Sequence, residues 1–289
     1  MRKVIDHVKI ILEMIKFEHT IFALPFALLA AFLAARGWPP PVKLFFILVA
    51  MVGARSAAMS FNRLVDASFD ARNPRTKDRA IPAGKIKKGE VIFFLLISCG
   101  LFFFAAYSLN RLCLILSPFV LAILLLYSFA KRFTSLAHLV LGLCLGLSPL
   151  AAWIAITGVI DPVPVVLGLG VLLWVSGFDV IYACLDYDFD RAANLHSIPA
   201  RIGIRGGLWV SILLHLGAAV CFFSLWPMAG LGIVYAAGYM VTLFFLLYQH
   251  WIIRPEDLSR ANFSFFIANG VISIVLCTAA IIDVLRLAG

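Results

Sequence analysis

The sequence predicts an all-α integral membrane protein with nine spanning helices, and three observations point to it. Of the 289 residues, 63% are hydrophobic and 13% charged, with a mean hydropathy of +1.02, whereas a soluble domain carries roughly 25% charge. The apolar runs are about as long as the ~20 residues a helix needs to cross the hydrocarbon core. The basic residues also sort by loop. With a cytoplasmic N-terminus, 18 of the 24 Lys and Arg fall on the cytoplasmic side and four on the other, with Arg55 and Arg63 inside the second span, as the positive-inside rule requires.

The spans are expected at 18–35, 43–62, 91–109, 112–129, 136–157, 163–183, 207–226, 228–249 and 263–284. They are separated by the prolines at 39–41, a charged stretch at 71–90, Lys131-Arg132, Asp161-Pro162, a polar segment at 186–206, Pro227 and RPED at 254–257. The start, MRKVIDHVKIILEMIKF, mixes acids, bases and a helical period, so residues 1–17 read as an amphipathic helix at the membrane surface. It lacks a small-residue cleavage site after a short apolar core, which argues against a removable signal peptide. The net charge of +9 follows from topology and attraction to anionic lipid and needs no nucleic-acid partner. Cys99, Cys113, Cys144, Cys184, Cys221 and Cys277 are scattered through apolar runs without CxxC pairing and read as small packing residues. The 25 Phe serve lipid contact and packing, with a few expected to line a channel for an apolar tail.

Chemistry concentrates in two stretches. Asn62, Asp66 and Asp70 are spaced four apart at the cytoplasmic end of the second span, so they share one helix face, and Arg55 falls on it too. In the sixth span Asp179, Tyr182, Asp186 and Asp190 follow the same rule, with Asp188 directed elsewhere. Tyr182, Asp186 and Asp190 each lie 120 residues after Asn62, Asp66 and Asp70, and RAIPA at 79–83 is echoed by HSIPA at 196–200. This internal repeat, about 18–130 and 136–250 with a last helix at 263–284, predicts two halves facing one pocket, each with a carboxylate pair.

Acids at membrane depth are costly and are paired or functional. Opposed carboxylate pairs repel unless a cation joins them, and carboxylate, water and phosphate oxygens are the ligand set of Mg²⁺. Arg72, Arg75, Lys77, Arg79, Lys131, Arg132, Arg191 and Arg201 supply positive charge nearby for phosphate oxygens. The acids are thus expected to hold metal, and the metal and bases a diphosphate. His19, His138, His196, His215 and His250 have no metal-ligand spacing; only His196, inside the second polar segment, is a candidate for touching phosphate.

At these residues a resemblance emerges. NRLVDASFDARNPRTKDRAIPAG (62–84) resembles the first signature of the UbiA family of intramembrane prenyltransferases, NxxxDxxxD before a basic Arg-Pro-rich loop. YACLDYDFDRAANLHSIPARIG (182–203) resembles the second, YxxxDxxxD before a His/Lys-Ser element, and YSFAKRFT (127–134) the short basic loop between them. The resemblance implies a barrel of nine helices around a central cavity open to lipid, with a cytoplasmic cap. It implies a polyprenyl diphosphate held through two Mg²⁺ on both motifs, with Asn62, Asp66 and Asp70 as one metal site and Asp186 and Asp190 as the other. Lys131, Arg72 and Arg79 become the diphosphate clamp, and Tyr182 the motif tyrosine.

The implied reaction is ionisation of the allylic diphosphate and attack by an electron-rich ring ortho to a hydroxyl. Asp66, Asp70, Asp186 and Asp190 carry it; Asp179 is one candidate base. His196 and Arg201 are substrate-binding candidates, and Arg55, deeper in its helix, is expected to pair with an acceptor carboxylate. The acceptor is a hydroxylated aromatic carboxylate of the 4-hydroxybenzoate type, in quinone biosynthesis at the plasma membrane with cytoplasmic active-site loops. One departure is KFEHTIFALPFAL: Glu18-His19 stands where 4-hydroxybenzoate enzymes resemble an Arg/Lys-Pro pair, so 1,4-dihydroxy-6-naphthoate of a menaquinone route is the alternative acceptor. A multi-span transporter would also show repeats and intramembrane acids, but both acidic stripes sit toward one membrane face. A CDP-alcohol phosphotransferase needs a DG dipeptide, and none occurs.

Overall fold

The protein is described by a computed structural model covering residues 9–15, 20 and 22–288. Most of the predicted N-terminal amphipathic segment (1–8, 16 and 17), Glu18 and His19 lie outside the described residues; 9–14 are helical. The helices are α1 (Leu24–Ala35), α2 (Pro41–Asp70), α3 (Lys88–Leu109), α4 (Arg111–Phe133), α5 (Ala137–Thr157), α6 (Pro162–Ala183), α7 (Tyr187–Ala192), α8 (Ile198–Ala229), α9 (Ile233–Ile252) and α10 (Asn269–Ala288). No strand occurs among the described residues. Among the described residues eight stretches are long and apolar enough to span a membrane, and α1, at 12 residues, is a shorter apolar helix beside them. The chain is an all-helical integral membrane protein.

The apolar sequence leaves most of several spans outward-facing: only 17% of the α4 window is buried, and Phe119, Leu126 and Phe133 are largely exposed. That surface suits lipid, not water. Helix ends follow their local chemistry. Asp161 caps α6 by accepting the Val163 N–H at 2.9 Å, with Pro162 at the first helical position. The seventh span does not stop at Pro227 as expected. α8 carries that proline inside its last turn and ends at Gly230, whose left-handed φ of 62° closes the helix through Trp226 O. Pro227 gives up one backbone hydrogen bond and crowds the carbonyl four residues before it, yet the helix runs past it, and Gly230 turns the chain.

The chain divides into two compact units, Met1–Thr20 with Phe45–Phe129, and Ile21–Leu44 with Ala130–Gly289. In the first, Ala57, Phe102 and Leu121 form one core cluster, and Met14 and Ile15 pack with Ile86 and Val91 in another. Arg63 is buried and donates from Nε to the Met14 carbonyl at 3.1 Å, pinning the N-terminal helix to α2. In the second, α6 packs against α5 and α8, and α10 against α9. Gly146 and Gly168 let α5 and α6 touch backbone to backbone: a Cβ on Gly146 would lie 2.5 Å from Gly168 O. Phe22, Phe26 and Phe178 pack around Trp174, whose Nε1 donates to Asn269 Oδ1 at 2.9 Å, and Phe265 packs edge-on against Phe178.

Candidate active site

The first acidic motif sits at the end of an unusually long helix. The 30 residues of α2 extend about 45 Å at 1.5 Å per residue, more than the ~30 Å hydrocarbon core, so its last turns reach the interface. Asn62 donates from Nδ2 to Asp66 Oδ2 at 2.8 Å, which fixes the first carboxylate against its own helix. Asp70 is buried; Oδ1 pairs with Arg79 at 2.7 Å, and Oδ2 accepts no hydrogen bond. The basic loop that follows is a chain of turns, not a tether: Thr76 and Lys77 N–H both bond Asn73 O, and Thr76 Oγ1 returns to Asp70 O at 3.1 Å. Those turns bring Arg79 back onto Asp70. Arg72 instead folds over its own helix end, with Nε on Ser68 O at 3.2 Å and its guanidinium over the Phe69 ring. Arg75 and Lys77 are exposed, and Arg55 is partly buried on α2.

The second motif repeats the chemistry with a different backbone. It is not one continuous α-helix: α6 ends at Ala183, Cys184–Asp186 form a 3-10 turn, and α7 resumes at Tyr187. The tighter turn still leaves Asp186 and Asp190 buried and Asp188 exposed, so the expected separation of Asp188 from the pair holds. Asp190 Oδ2, like Asp70 Oδ2, accepts no hydrogen bond, and Lys131 Nζ stands 3.7 Å away. The middle basic loop is joined to this motif by the His196 N–H, which donates to Lys131 O at 2.7 Å. Tyr182 lies against Phe265 with ring centroids 4.4 Å apart. His196 and Arg201 are exposed and line an open recess of about 560 Å³ with Arg191, Asn194 and Ser197.

Each motif therefore ends in a buried aspartate beside a base with one oxygen that accepts no hydrogen bond: at Asp70 it is the oxygen turned from Arg79, at Asp190 the one that faces Lys131. A buried acceptor without a partner is expensive, and a hard cation is the natural occupant. Among the described residues no three His, Cys, Asp or Glu side chains gather into a ready-made metal cage. Mg²⁺ needs none, since one or two carboxylates with water and substrate phosphates suffice.

Sequence reasoning passed over His138. It is fully buried at the start of α5, and its Nδ1 lies 2.7 Å from Asp179 Oδ2. Its position 41 residues from Asp179 carries no spacing signal that periodicity could detect.

A sequence model of the UbiA prenyltransferase family matches residues 23–270. The chain belongs to this family. It is similar to the 4-hydroxybenzoate octaprenyltransferase of Tolumonas auensis, 28% identical over 247 residues and 86% of each chain. The enzyme of the same name from Shewanella pealeana is 29% identical over 260 residues and 90% of each chain. Among solved structures, an apo UbiA homologue from Aeropyrum pernix K1 is 34% identical with a TM-score of 0.83, over 92% of this chain and 98% of that one. An Archaeoglobus fulgidus UbiA homologue bound to DMAPP and Mg²⁺ shares the fold at 17% identity, with a TM-score of 0.75 over 96% and 99% of the chains. The protein is a UbiA-family prenyltransferase.

Proposed function

We propose that this prenyltransferase moves a polyprenyl group from polyprenyl diphosphate to a hydroxylated aromatic carboxylate of the 4-hydroxybenzoate type, in quinone biosynthesis. The observation that carries the reading is a buried aspartate in each motif, beside a base and with one oxygen that accepts no hydrogen bond, Asp70 with Arg79 and Asp190 with Lys131. Two Mg²⁺ would be held by Asn62, Asp66 and Asp70 and by Asp186 and Asp190. When bound, they supply positive charge to the leaving diphosphate, which gains negative charge as the allylic C–O bond ionises.

The chain's own residues do the rest. Arg79 and Lys131, each already against an aspartate, turn toward diphosphate oxygens, joined by Arg72 once it releases Ser68 O. His196 and Arg201 meet the same anion from the second loop. Arg55, two turns before Asn62 on α2, binds the acceptor carboxylate, and Tyr182 borders the reacting groups. Apolar helix surface keeps water from the allylic cation. The active-site loops and N-terminus are assigned to the cytoplasmic side of the plasma membrane, in line with the distribution of Lys and Arg. Support for the aromatic acceptor comes from the curated relatives, which are 4-hydroxybenzoate octaprenyltransferases. Glu18-His19, in place of the basic pair those enzymes resemble, favours 1,4-dihydroxy-6-naphthoate as the second acceptor to test.

The test is to supply purified protein in lipid with Mg²⁺, a polyprenyl diphosphate and each aromatic acid, and to identify the lipid product by mass. A prenylated hydroxybenzoate or naphthoate with release of diphosphate is expected. Absence of any prenylated aromatic product, with Mg²⁺ and donor present, would overturn the reading.

A further inference from the structure

Every prenyl transfer to an aromatic ring ends with the loss of a ring proton, and the structure contains a dyad suited to take it. His138 has both ring nitrogens committed. Nε2 accepts the Ile198 N–H at 3.3 Å and Nδ1 lies 2.7 Å from Asp179 Oδ2. A backbone N–H can only donate, so Nε2 carries the lone pair and Nδ1 the proton. His138 is therefore a neutral donor aimed at the Asp179 carboxylate, and its ring is fully buried. The Ser176 hydroxyl, 2.7 Å from Leu172 O and 3.1 Å from His138 O, shares its one hydrogen between the two helices beside it.

Asp179 is the exception in its stretch of α6. From Trp174 to Val180 every other residue is buried, whereas the Asp179 side chain keeps 18% of its surface accessible. A carboxylate inside an apolar span is costly and is functional unless neutralised, and a neutral imidazole does not neutralise it. An amide would satisfy the histidine without that cost, so pairing alone does not explain the acid. Asp179 also lies seven residues before Asp186, on α6 ahead of the 3-10 turn that carries Asp186.

We propose that Asp179 accepts the ring proton during transfer, and that His138 is the positioning residue that holds its carboxylate. The inference rests on the aromatic acceptor proposed above. The allylic C–O bond breaks with its electron pair leaving on diphosphate, and a ring carbon bonds the prenyl carbon to give a ring cation. The C–H bond at that carbon then breaks, its electrons restore the aromatic ring, and the proton passes to Asp179 Oδ1, the oxygen outside the His138 hydrogen bond. Through Ile198, the first residue of α8, the same histidine ties the dyad to the segment that follows Asp190. The base and the second acidic motif are thereby held in one register.

The experiment uses the full-length protein in lipid, with 4-hydroxybenzoate or the dihydroxynaphthoate either protonated or deuterated at the reacting carbons. Wild type is expected to show little isotope effect, because ionisation of the donor limits turnover. In Asp179→Asn, kcat falls about 100-fold or more, the scale of general base catalysis, KM for both substrates holds, and a primary isotope effect appears as proton loss becomes slow. His138→Gln keeps an acceptor for Ile198 but no donor at the Nδ1 position, and shows a smaller fall with the same isotope signature. His138→Asn restores a donor near Nδ1 and recovers kcat relative to His138→Gln. Titration of each variant with Mg²⁺ and polyprenyl diphosphate separates chemistry from folding. Wild-type kcat in Asp179→Asn, a loss without an isotope effect, or loss of donor binding as well would each overturn the dyad. A wild-type protein that prenylates no aromatic acid would instead overturn the acceptor reading beneath it.

Discussion

Replacing Asp190 by Asn should stabilise the ligand-free protein while removing its response to substrate. Asp190 is 2% exposed, Oδ2 accepts no hydrogen bond, and Lys131 Nζ at 3.7 Å is beyond hydrogen-bond range. A buried acceptor in that state costs about 1–3 kcal/mol. Breaking a buried ion pair is ordinarily severe because it strands a charge, but the Lys131 side chain is 35% exposed and keeps its water. The amide also has an arrangement that suits it, with its oxygen toward Lys131 and its nitrogen toward the Ser197 hydroxyl, which already bonds this carboxylate. The net gain is about 1 kcal/mol, or a rise of about 2 °C in Tm for a chain of this size. With Mg²⁺ and a non-reactive polyprenyl diphosphate analogue at 100 times Kd, wild type should gain about 2.7 kcal/mol by mass action. The variant should lose most of that gain. The assay is thermal unfolding in lipid nanodiscs, with and without both ligands. A variant that melts below wild type when ligand-free, or that keeps the full ligand shift, would refute the view that this oxygen is held in reserve for a metal.

Arg55→Leu should raise KM for the aromatic acceptor far more than KM for the prenyl donor, measured by steady-state kinetics; an equal rise in both would remove Arg55 from the acceptor site. Gly146→Ala would place a Cβ 2.5 Å from Gly168 O, so overpacking of about 1–3 kcal/mol should lower Tm by several degrees. Gly100→Ala, with nothing within 4 Å of its added Cβ, should not lower it and serves as the control. Asp283, 3% exposed, accepts the N–H groups of Gly232 and Tyr235 through Oδ2. Asp283→Ala should therefore cost about 1–2 kcal/mol by uncapping α9 and leave the donor KM unchanged. An unaltered melting curve would mean that water replaces the cap.

The spans and the two motifs were legible because both depend on local periodicity. Length and hydropathy determine where helices cross, and a four-residue spacing puts Asn62, Asp66 and Asp70 on one face of α2. Asp70 and Asp190, 120 residues apart, are both buried beside a base, and each has one oxygen that accepts no hydrogen bond. What escaped prediction depends on contacts between residues remote in sequence or on backbone detail. His138 meets Asp179 because α5 and α6 pack closely through Gly142 and Gly146. The 3-10 turn at Cys184–Asp186 leaves no mark in a DxxxD spacing. Arg63, which lacked a role in the sequence reading, proved to anchor the N-terminal helix through Met14 O.

The central claim is that both acidic motifs bind divalent metal in contact with the prenyl donor's diphosphate. Anomalous diffraction from crystals grown with Mn²⁺ and a polyprenyl thiolodiphosphate tests it most directly. The account predicts manganese peaks on Asp66 and Asp70 and on Asp186 and Asp190, with diphosphate oxygens in both coordination shells. Diphosphate bound by the basic side chains alone, with no metal at either motif, would contradict it.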